Sequence, residues 1–171
     1  MRARHEAAFR AVYTKHHGDI CAFFARRTDR QDVQDLAAET FVVAWRRPPR
    51  NFDDDPLPWL YGVARNVLRN HHRKVTRRHP PDHAVVPPDP AELVSGDLNL
   101  RDAFAQLTPK QREAICLVAW EGLDIAQAAT AAGCTQPTFA VRLSRARTRL
   151  AALLRDDAPA STTFTQQETP A

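Results

Sequence analysis

The chain has 171 residues, a formal net charge of +4 and a pI near 9.3, enough length for one medium core or two small ones. Its three cysteines, Cys21, Cys116 and Cys134, are odd in number and far apart, which excludes a disulfide framework or a paired zinc motif and suits a reduced, cytoplasmic setting. No apolar run approaches the roughly 18 residues that insert across a membrane, and the charged, amphipathic start MRARHEAAFRAVY lacks a signal-peptide core.

Strand signals are weak and helical periodicity is strong, so the expected fold is all-α. A first helix is expected from about Ala3 to Thr28, with Gly18 as a candidate break and Phe9, Val12, Tyr13, Ile20, Phe23 and Phe24 on its apolar face. A second begins after Thr28 or Asp29 as cap. Val33, Leu36, Ala37, Thr40, Phe41, Ala44 and Trp45 form a stripe to be buried, and Asp32, Asp35 and Glu39 an acidic outer face. Pro48 and Pro49 stop it. After the loop RPPRNFDDDP, Asp55 as N-cap and Pro56 at the first helical position predict a third helix running to Arg78. Three helices with complementary stripes make one small bundle, residues 1–78.

Five of the thirteen prolines, Pro80, Pro81, Pro87, Pro88 and Pro90, fall in one stretch, which marks residues 79–97 as an acidic, Pro-rich linker. A second domain is expected over residues 98–154. In it Thr108 caps a helix that starts at Pro109 and is ended by Gly122. A short helix follows from Asp124 to Ala132, then a tight turn at Gly133-Cys134. The last helix carries Phe139, Leu143, Ala146, Leu150 and Leu153 inward. Residues 155–171 are polar, rich in Pro and Thr, and read as a disordered tail.

Charge is distributed in a telling way. Trp59 to His79 holds six Lys or Arg and no acid, and Thr135 to Arg155 holds five Arg and no acid. Two separate basic helices point to an extended polyanion. The segment LDIAQAATAAGCTQPTFAVRLSRARTRL, a short helix, a Gly133 turn and a longer Arg-bearing helix, has the pattern of a helix-turn-helix, within a second domain expected to be four-helix and winged-helix-like without a wing. Its second helix would present Gln136, Thr138, Ala140, Val141 and Ser144 to base edges, with Arg142, Arg145, Arg147 and Arg149 reaching phosphates or guanines. Upstream, Phe52, Trp59 and Tyr61 lie beside Arg65, Asn66, Arg69, Asn70, Arg73 and Lys74. Aromatics stack on unpaired bases while cations follow a backbone. Trp59 reads somewhat better as a core residue, and Phe52, in a loop, is the better stacking candidate.

Asp53-Asp54-Asp55 reads as a helix cap with solvated charge rather than a cation site. His16-His17 and His71-His72 are adjacent pairs on different helix faces, with no cluster to complete a tetrahedral set. No nucleophile–base pair or glycine-rich phosphate loop is present, so no enzyme activity, cofactor or metal is expected.

These motifs resemble extracytoplasmic-function RNA polymerase sigma factors, a bacterial family. DVQDLAAETFVVAWRR resembles the helix by which sigma factors grip the polymerase clamp. DPLPWLYGVARNVLRNHHRK resembles the segment that melts and reads the −10 element. LTPKQREAICLVAWEGLDIAQAATAAGCTQPTFAVRLSRARTRL is similar to the domain that reads the −35 element. The resemblance implies that Asp32, Asp35, Glu39, Val42, Val43 and Arg46 contact core RNA polymerase, at the β′ clamp helices, with the β subunit as a further contact. It implies that Arg47, Phe52, Trp59, Tyr61, Arg65, Asn66, Arg69, Asn70, Arg73 and Lys74 meet single-stranded −10 DNA. Gln136, Thr138, Ala140, Val141, Arg142, Ser144, Arg145 and Arg149 would meet duplex −35 DNA. It further implies a nucleoid-associated cytoplasmic protein without membrane insertion, a linker threading toward the RNA-exit channel, and room for an anti-sigma partner.

The chain departs from the family pattern at Gln127, where a Glu is usual, and at Ala128 and Ala132, where larger aliphatics are usual. It departs again at Ala140-Val141, where Lys or Arg followed by Ser is common, and at Ala38, where Gln is common. Two other readings stay open: a stand-alone helix-turn-helix regulator, and an inactive sigma paralogue that binds an anti-sigma protein.

Overall fold

Seven α-helices and no strand account for the described residues, 2–49, 55–78 and 98–156, of the computed structural model. The all-α expectation holds. The expected linker over 79–97, the tail beyond Asp156 and the loop with Phe52, Asp53 and Asp54 lie outside the described residues.

Helix α1 (Arg2–Ala25) runs without interruption through Gly18, so the expected break is absent. Helix α2 (Val33–Arg46) starts after Asp32, later than the Thr28 or Asp29 cap expected, and Asp32 makes no side-chain capping bond. Its buried stripe is Val33, Leu36, Ala37, Thr40, Phe41 and Ala44. Thr40 is tolerated there because its hydroxyl donates to the Leu36 carbonyl at 2.9 Å. Trp45 departs from expectation. It is 40% exposed, with its ring edge-on to Phe9 and against His5. Helix α3 (Leu57–Arg78) takes its first bond from Leu60 N–H to the Pro56 carbonyl, which puts Pro56 in the cap position expected for Asp55. Leu60, Ala64, Val67 and Leu68 face α1 and α2, where Ile20, Phe23, Phe24 and Leu36 complete the core.

Helix α4 (Leu98–Ala105) leads to α5 (Pro109–Ala119) and α6 (Ile125–Ala132). Each of these last two begins with a reciprocal cap. Gln111 N–H donates to the Thr108 hydroxyl, and Thr108 N–H donates to Gln111 Oε1. Gln127 N–H donates to Asp124 Oδ1 at 2.8 Å, and Asp124 N–H to Gln127 Oε1 at 3.1 Å. Gly122 (φ +67) and Gly133 (φ +65) occupy the left-handed region that closes α5 and α6, where a Cβ would strain the backbone. Helix α7 (Gln136–Asp156) extends slightly past the expected end and buries Phe139, Leu143, Ala146 and Leu153. A small satellite core of Ala103, Phe104, Leu107, Cys116 and Leu153 fixes α4 across α5 and α7.

The expectation of two separate units meets a further finding: the three-helix bundle and the helix-turn-helix unit pack on each other. Helix α3 lies against α6, and one apolar cluster runs from Phe24 and Leu60 through Leu117 and Leu123 to Ala128 and Phe139. Gly62 lies at this approach. A Cβ there would stand in ordinary contact, 3.4 Å from the Ala131 carbonyl oxygen, so only side chains larger than alanine would press on α6.

Gly18 has no such role, since a Cβ at that position meets nothing within 4 Å. Gly18→Ala should therefore stabilise the chain by about 0.5–1 kcal/mol through backbone entropy alone. Urea unfolding checks this; an unchanged or lower midpoint would place Gly18 in a contact not seen here.

Candidate nucleic-acid interface

On α2 the residues opposite the buried stripe form one outward row. Asp35, Glu39, Val42 and Arg46 recur at spacings of four, three and four and are all exposed, Val42 to 46%. Asp32 and Val43 flank the row and are half-buried, with Asp32 Oδ2 3.6 Å from His71 Nε2. Two carboxylates, a valine and a closing arginine make a mixed row suited to a protein surface of complementary charge. Its acidic half would repel a nucleic-acid backbone.

Helix α3 divides along its length. In its C-terminal half Asn66 and Asn70 repeat one motif a turn apart. Arg69 Nη2 donates to Asn66 Oδ1 at 2.9 Å, and Arg73 Nη2 donates to Asn70 Oδ1 at 2.7 Å. Each amide oxygen is thereby occupied by an arginine, leaving the amide N–H groups as outward donors beside the cations. Asn66, Arg69, Arg73 and Lys74 are exposed and Asn70 half-buried. Arg47 is exposed at the end of α2.

The N-terminal half of α3 is different. Tyr61 was expected to face a DNA strand, but it is 3% exposed and packs on Phe23 in the core. Burial first, and then the neighbouring Glu121, push its phenol well above the usual range. Trp59 is half-buried against the same core. Arg65 is turned to the helix-turn-helix unit, where its Nη1 donates to the Ala132 carbonyl at 2.9 Å and its Nε pairs with Glu113.

Helix α7 presents an open face. Thr135 stands at its N-cap, accepting from Thr138 N–H at 3.4 Å while the two hydroxyls meet at 2.8 Å. Gln136, Thr138, Val141, Ser144, Arg145 and Arg149 are exposed, with Ala140 and Arg142 half-buried beside them. Thr138, Val141, Arg142, Arg145 and Arg149 follow helical spacing on one side, opposite Phe139, Leu143 and Ala146.

Several residues at the contact between the two units carry no local sequence signal. The Glu121 side chain is fully buried. Arg26 Nη2 hydrogen-bonds it, and Arg27 Nη2 lies 2.8 Å from its Oε1. Arg27 is itself fixed by a bond from Nη1 to the Phe23 carbonyl at 2.8 Å and by the Phe23 ring, 3.9 Å from its guanidinium carbon. Gln127 spans the units as well, donating from Nε2 to Asp55 Oδ2 at 2.9 Å. The departures at Gln127, Ala128 and Ala132 all fall on α6, the helix that meets α3.

The remaining titratable groups are structural. Burial pushes the Cys116 thiol up to about 12, which keeps it neutral. Burial and then the adjacent His71 push His72 toward its neutral form. Buried His16 bonds Asp19 at 3.1 Å.

A helix-turn-helix with an open reading face, joined to a bundle that bears an acidic row and an amide–arginine ladder, defines a DNA-binding transcription protein. Comparison with known proteins identifies which. Residues 12–78 match the sigma-70 region 2 family model, and residues 97–150 match sigma-70, region 4. The extracytoplasmic-function (ECF) RNA polymerase sigma factor SigC of Mycobacterium tuberculosis is 34% identical over 144 residues, covering 78% of this chain and 76% of that one. The RNA polymerase sigma-H factor of Pseudomonas aeruginosa is 33% identical over 163 residues, covering 82% of each. Among solved structures, the sigma factor RpoE in complex with the anti-sigma factor NepR from Bartonella quintana aligns with TM-score 0.60 and 28% identity. That match covers 88% of this chain and 98% of RpoE. CnrH in complex with the cytosolic domain of CnrY aligns at 0.58 and 28%, covering 90% and 91%. The chain belongs to the sigma-70 family, among the ECF RNA polymerase sigma factors. Among the described residues no helix is long and apolar enough to cross a membrane.

Removing Glu121 leaves Arg26 and Arg27 facing each other with their countercharge gone. Glu121→Ala should cost about 3–5 kcal/mol in urea unfolding, the range for breaking a buried ion pair from one side. A cost under about 1 kcal/mol, as for an exposed pair, would contradict the burial of this carboxylate.

Proposed function

We propose that this sigma factor binds core RNA polymerase through the outward row of α2, with Asp35, Glu39, Val42 and Arg46 central and Asp32 and Val43 at its edges. In this reading the β′ clamp helices are the main contact and the β subunit a further one. Arg47, Asn66, Arg69, Asn70, Arg73 and Lys74 then follow the unpaired −10 strand, with Phe52 and Trp59 as stacking platforms and Arg65 joining once it is free. Tyr61 is left out of this set because it is a core residue. The exposed face of α7 reads the −35 duplex with Gln136, Thr138, Ala140, Val141, Arg142, Ser144, Arg145 and Arg149. The protein acts at the nucleoid and has no catalytic chemistry of its own. An anti-sigma protein is a further partner, a reading supported by the complexes in which RpoE and CnrH were solved.

The observation that carries this reading is the acidic row and the amide–arginine ladder on one bundle. A stand-alone helix-turn-helix regulator has no use for either. The centre of the α7 face is apolar, with Val141 51% exposed and Ala140 beside it. Methyl-bearing side chains there suit contact with thymine methyl groups in the major groove, with fewer phosphates neutralised and a shallower salt dependence.

Three measurements test the assignment. Asp35→Lys with Glu39→Lys should abolish retention on immobilised core polymerase while circular dichroism stays that of the parent, because both side chains point to solvent. Lost helicity would make that face structural. Arg145→Ala should weaken binding to a −35 duplex by about 1–3 kcal/mol. An unchanged affinity would remove α7 from the major groove. Runoff transcription with reconstituted holoenzyme separates an active factor from an inactive paralogue: transcript from a cognate promoter is expected.

A further inference from the structure

Asparagine is a weak helix former because its amide competes for backbone groups, yet Asn66 and Asn70 stand one turn apart inside α3. Each is followed three residues later by an arginine that bonds its amide oxygen. We propose that Arg69 and Arg73 are positioning residues that fix these amides as donors, so that a strand lying on α3 is taken at keto bases, thymine or guanine, and refused at adenine and cytosine. The inference rests on the proposed role of α3 and deepens it.

The orientation of the amides follows from the donors at hand. A guanidinium has five N–H donors and no acceptor, so the atom it meets on an asparagine is the carbonyl oxygen. The contacts are 2.9 Å at Asn66 and 2.7 Å at Asn70, in the range of charge-assisted bonds. Each amide oxygen is turned toward its arginine and the two N–H groups away from it. Asn66, Arg69 and Arg73 are exposed and Asn70 is half-buried, so both pairs are open to a strand in the chain as it stands. The sequence repeats Arg-Asn at 65–66 and 69–70, and Arg73 follows four residues after Arg69. Arg65 has Gly62 three residues before it and no amide to hold, and it turns to Ala132 and Glu113 instead. The Asn–Arg pair therefore recurs about every 6 Å along the helix axis, a step that successive nucleotides of an extended strand can follow.

The arginines change which base fits. A free asparagine offers a donor beside an acceptor and suits adenine, whose N6 amino group and N7 form the matching pair. With its oxygen held by an arginine, the same side chain has its acceptor taken. Adenine and cytosine then leave their amino donors unmatched, at a desolvation cost. Thymine O4, and guanine O6 and N7, are acceptors that the amide N–H groups meet directly. The remaining guanidinium N–H groups stay available to phosphate. Charge alone would not separate the bases, since phosphate contacts carry no sequence information.

The test uses the full chain and two labelled single strands of equal length, one of alternating dT and dG and one of alternating dA and dC, read by fluorescence anisotropy. The strands share charge and purine content, so the ratio of their affinities reports keto preference. The parent should favour the dT–dG strand by about five-fold or more, the lower end of base discrimination by a side-chain pair. In Asn66→Asp with Asn70→Asp an acceptor oxygen replaces each outward amide, and the preference should reverse toward the dA–dC strand while both strands bind less tightly. In Arg69→Met with Arg73→Met the amides are released, both strands lose affinity, and the ratio should fall toward unity. Circular dichroism of both variants should match the parent, because the side chains lie at the surface. A keto preference that survives Asn66→Asp with Asn70→Asp would assign it to direct contact of the arginines with guanine and overturn the positioning role. A ratio unmoved by Arg69→Met with Arg73→Met would overturn it as well. The parent alone decides the keto reading: equal binding of the two strands would overturn it while leaving α3 a strand-binding helix. If the parent binds neither strand, the strand-reading assignment of α3 falls, and this inference with it.

Discussion

A carboxylate can be buried only where its charge is met on the spot, and in this chain Glu121 is met by Arg26 and Arg27 across the boundary between two helical units. The rest of the arrangement follows from that junction. Arg27 is bonded to the Phe23 carbonyl and lies against the Phe23 ring, so the carboxylate is tied to the C-terminal end of α1, where a cation also offsets the negative helix terminus. Gly122, next in sequence, takes the left-handed conformation that turns the chain into α6. With its start fixed there, α6 runs along α3. Charge sets the direction of approach. The alanines of α6, lying against α3 at Gly62, set how near it comes.

This junction divides the two helices proposed to meet DNA in different ways. Helix α7 is divided by face: Phe139, Leu143 and Ala146 are buried along one side, and the other side is open from Gln136 to Arg149. Helix α3 is divided by length. Up to Arg65 it is taken up by core and by α6; from Asn66 onward it carries the amide–arginine ladder outward. A helix divided by face keeps its reading surface in any arrangement of the units. A helix divided by length changes its surface when its partner moves. The acidic row of α2 lies on neither boundary and stays exposed.

Local features of this fold were legible in the sequence because local physics decides them. Thr108 before Pro109 is the cap expected, and Asp124, where the short helix was expected to begin, caps α6; both form reciprocal bonds. Gly133 closes α6 as the turn required. The inward stripe of α7 is the one its spacing marked, with Leu150 half-buried near its end. The misreadings occurred where a distant partner decides. Tyr61 beside basic residues looked like a stacking platform, yet Phe23 and Glu121 draw it into the core. Trp45 continued an apolar stripe, yet α2 ends at Arg46, and its ring lies over His5 and Phe9 at the rim. Asp55 had the composition of a cap, but its carboxylate is bonded to Gln127, 72 positions along the chain. Glu121 carried no signal at all, since nothing near it in sequence shows that it will be buried. The one trace of the contact was indirect: unusually small residues at Ala128 and Ala132, and an uncharged Gln127 that serves the α6 cap as well as the contact.

The same division bears on how the two DNA surfaces share the work under the proposed function. The α7 face places Val141 and Ala140 at its centre, so its discrimination rests on shape and methyl contact more than on charge. The C-terminal half of α3 places Arg69, Arg73 and Lys74 around two amides, as many cations as Arg142, Arg145 and Arg149 bring to α7. With the same number of cations on each, salt should weaken duplex binding somewhat more steeply than strand binding while Arg65 stays held. Arg65 adds to the strand side only when Glu113 and the Ala132 carbonyl release it. The cation count on that surface is then not a fixed property of the sequence. It depends on whether the two units are together or apart, and the steepness of its salt dependence reports which.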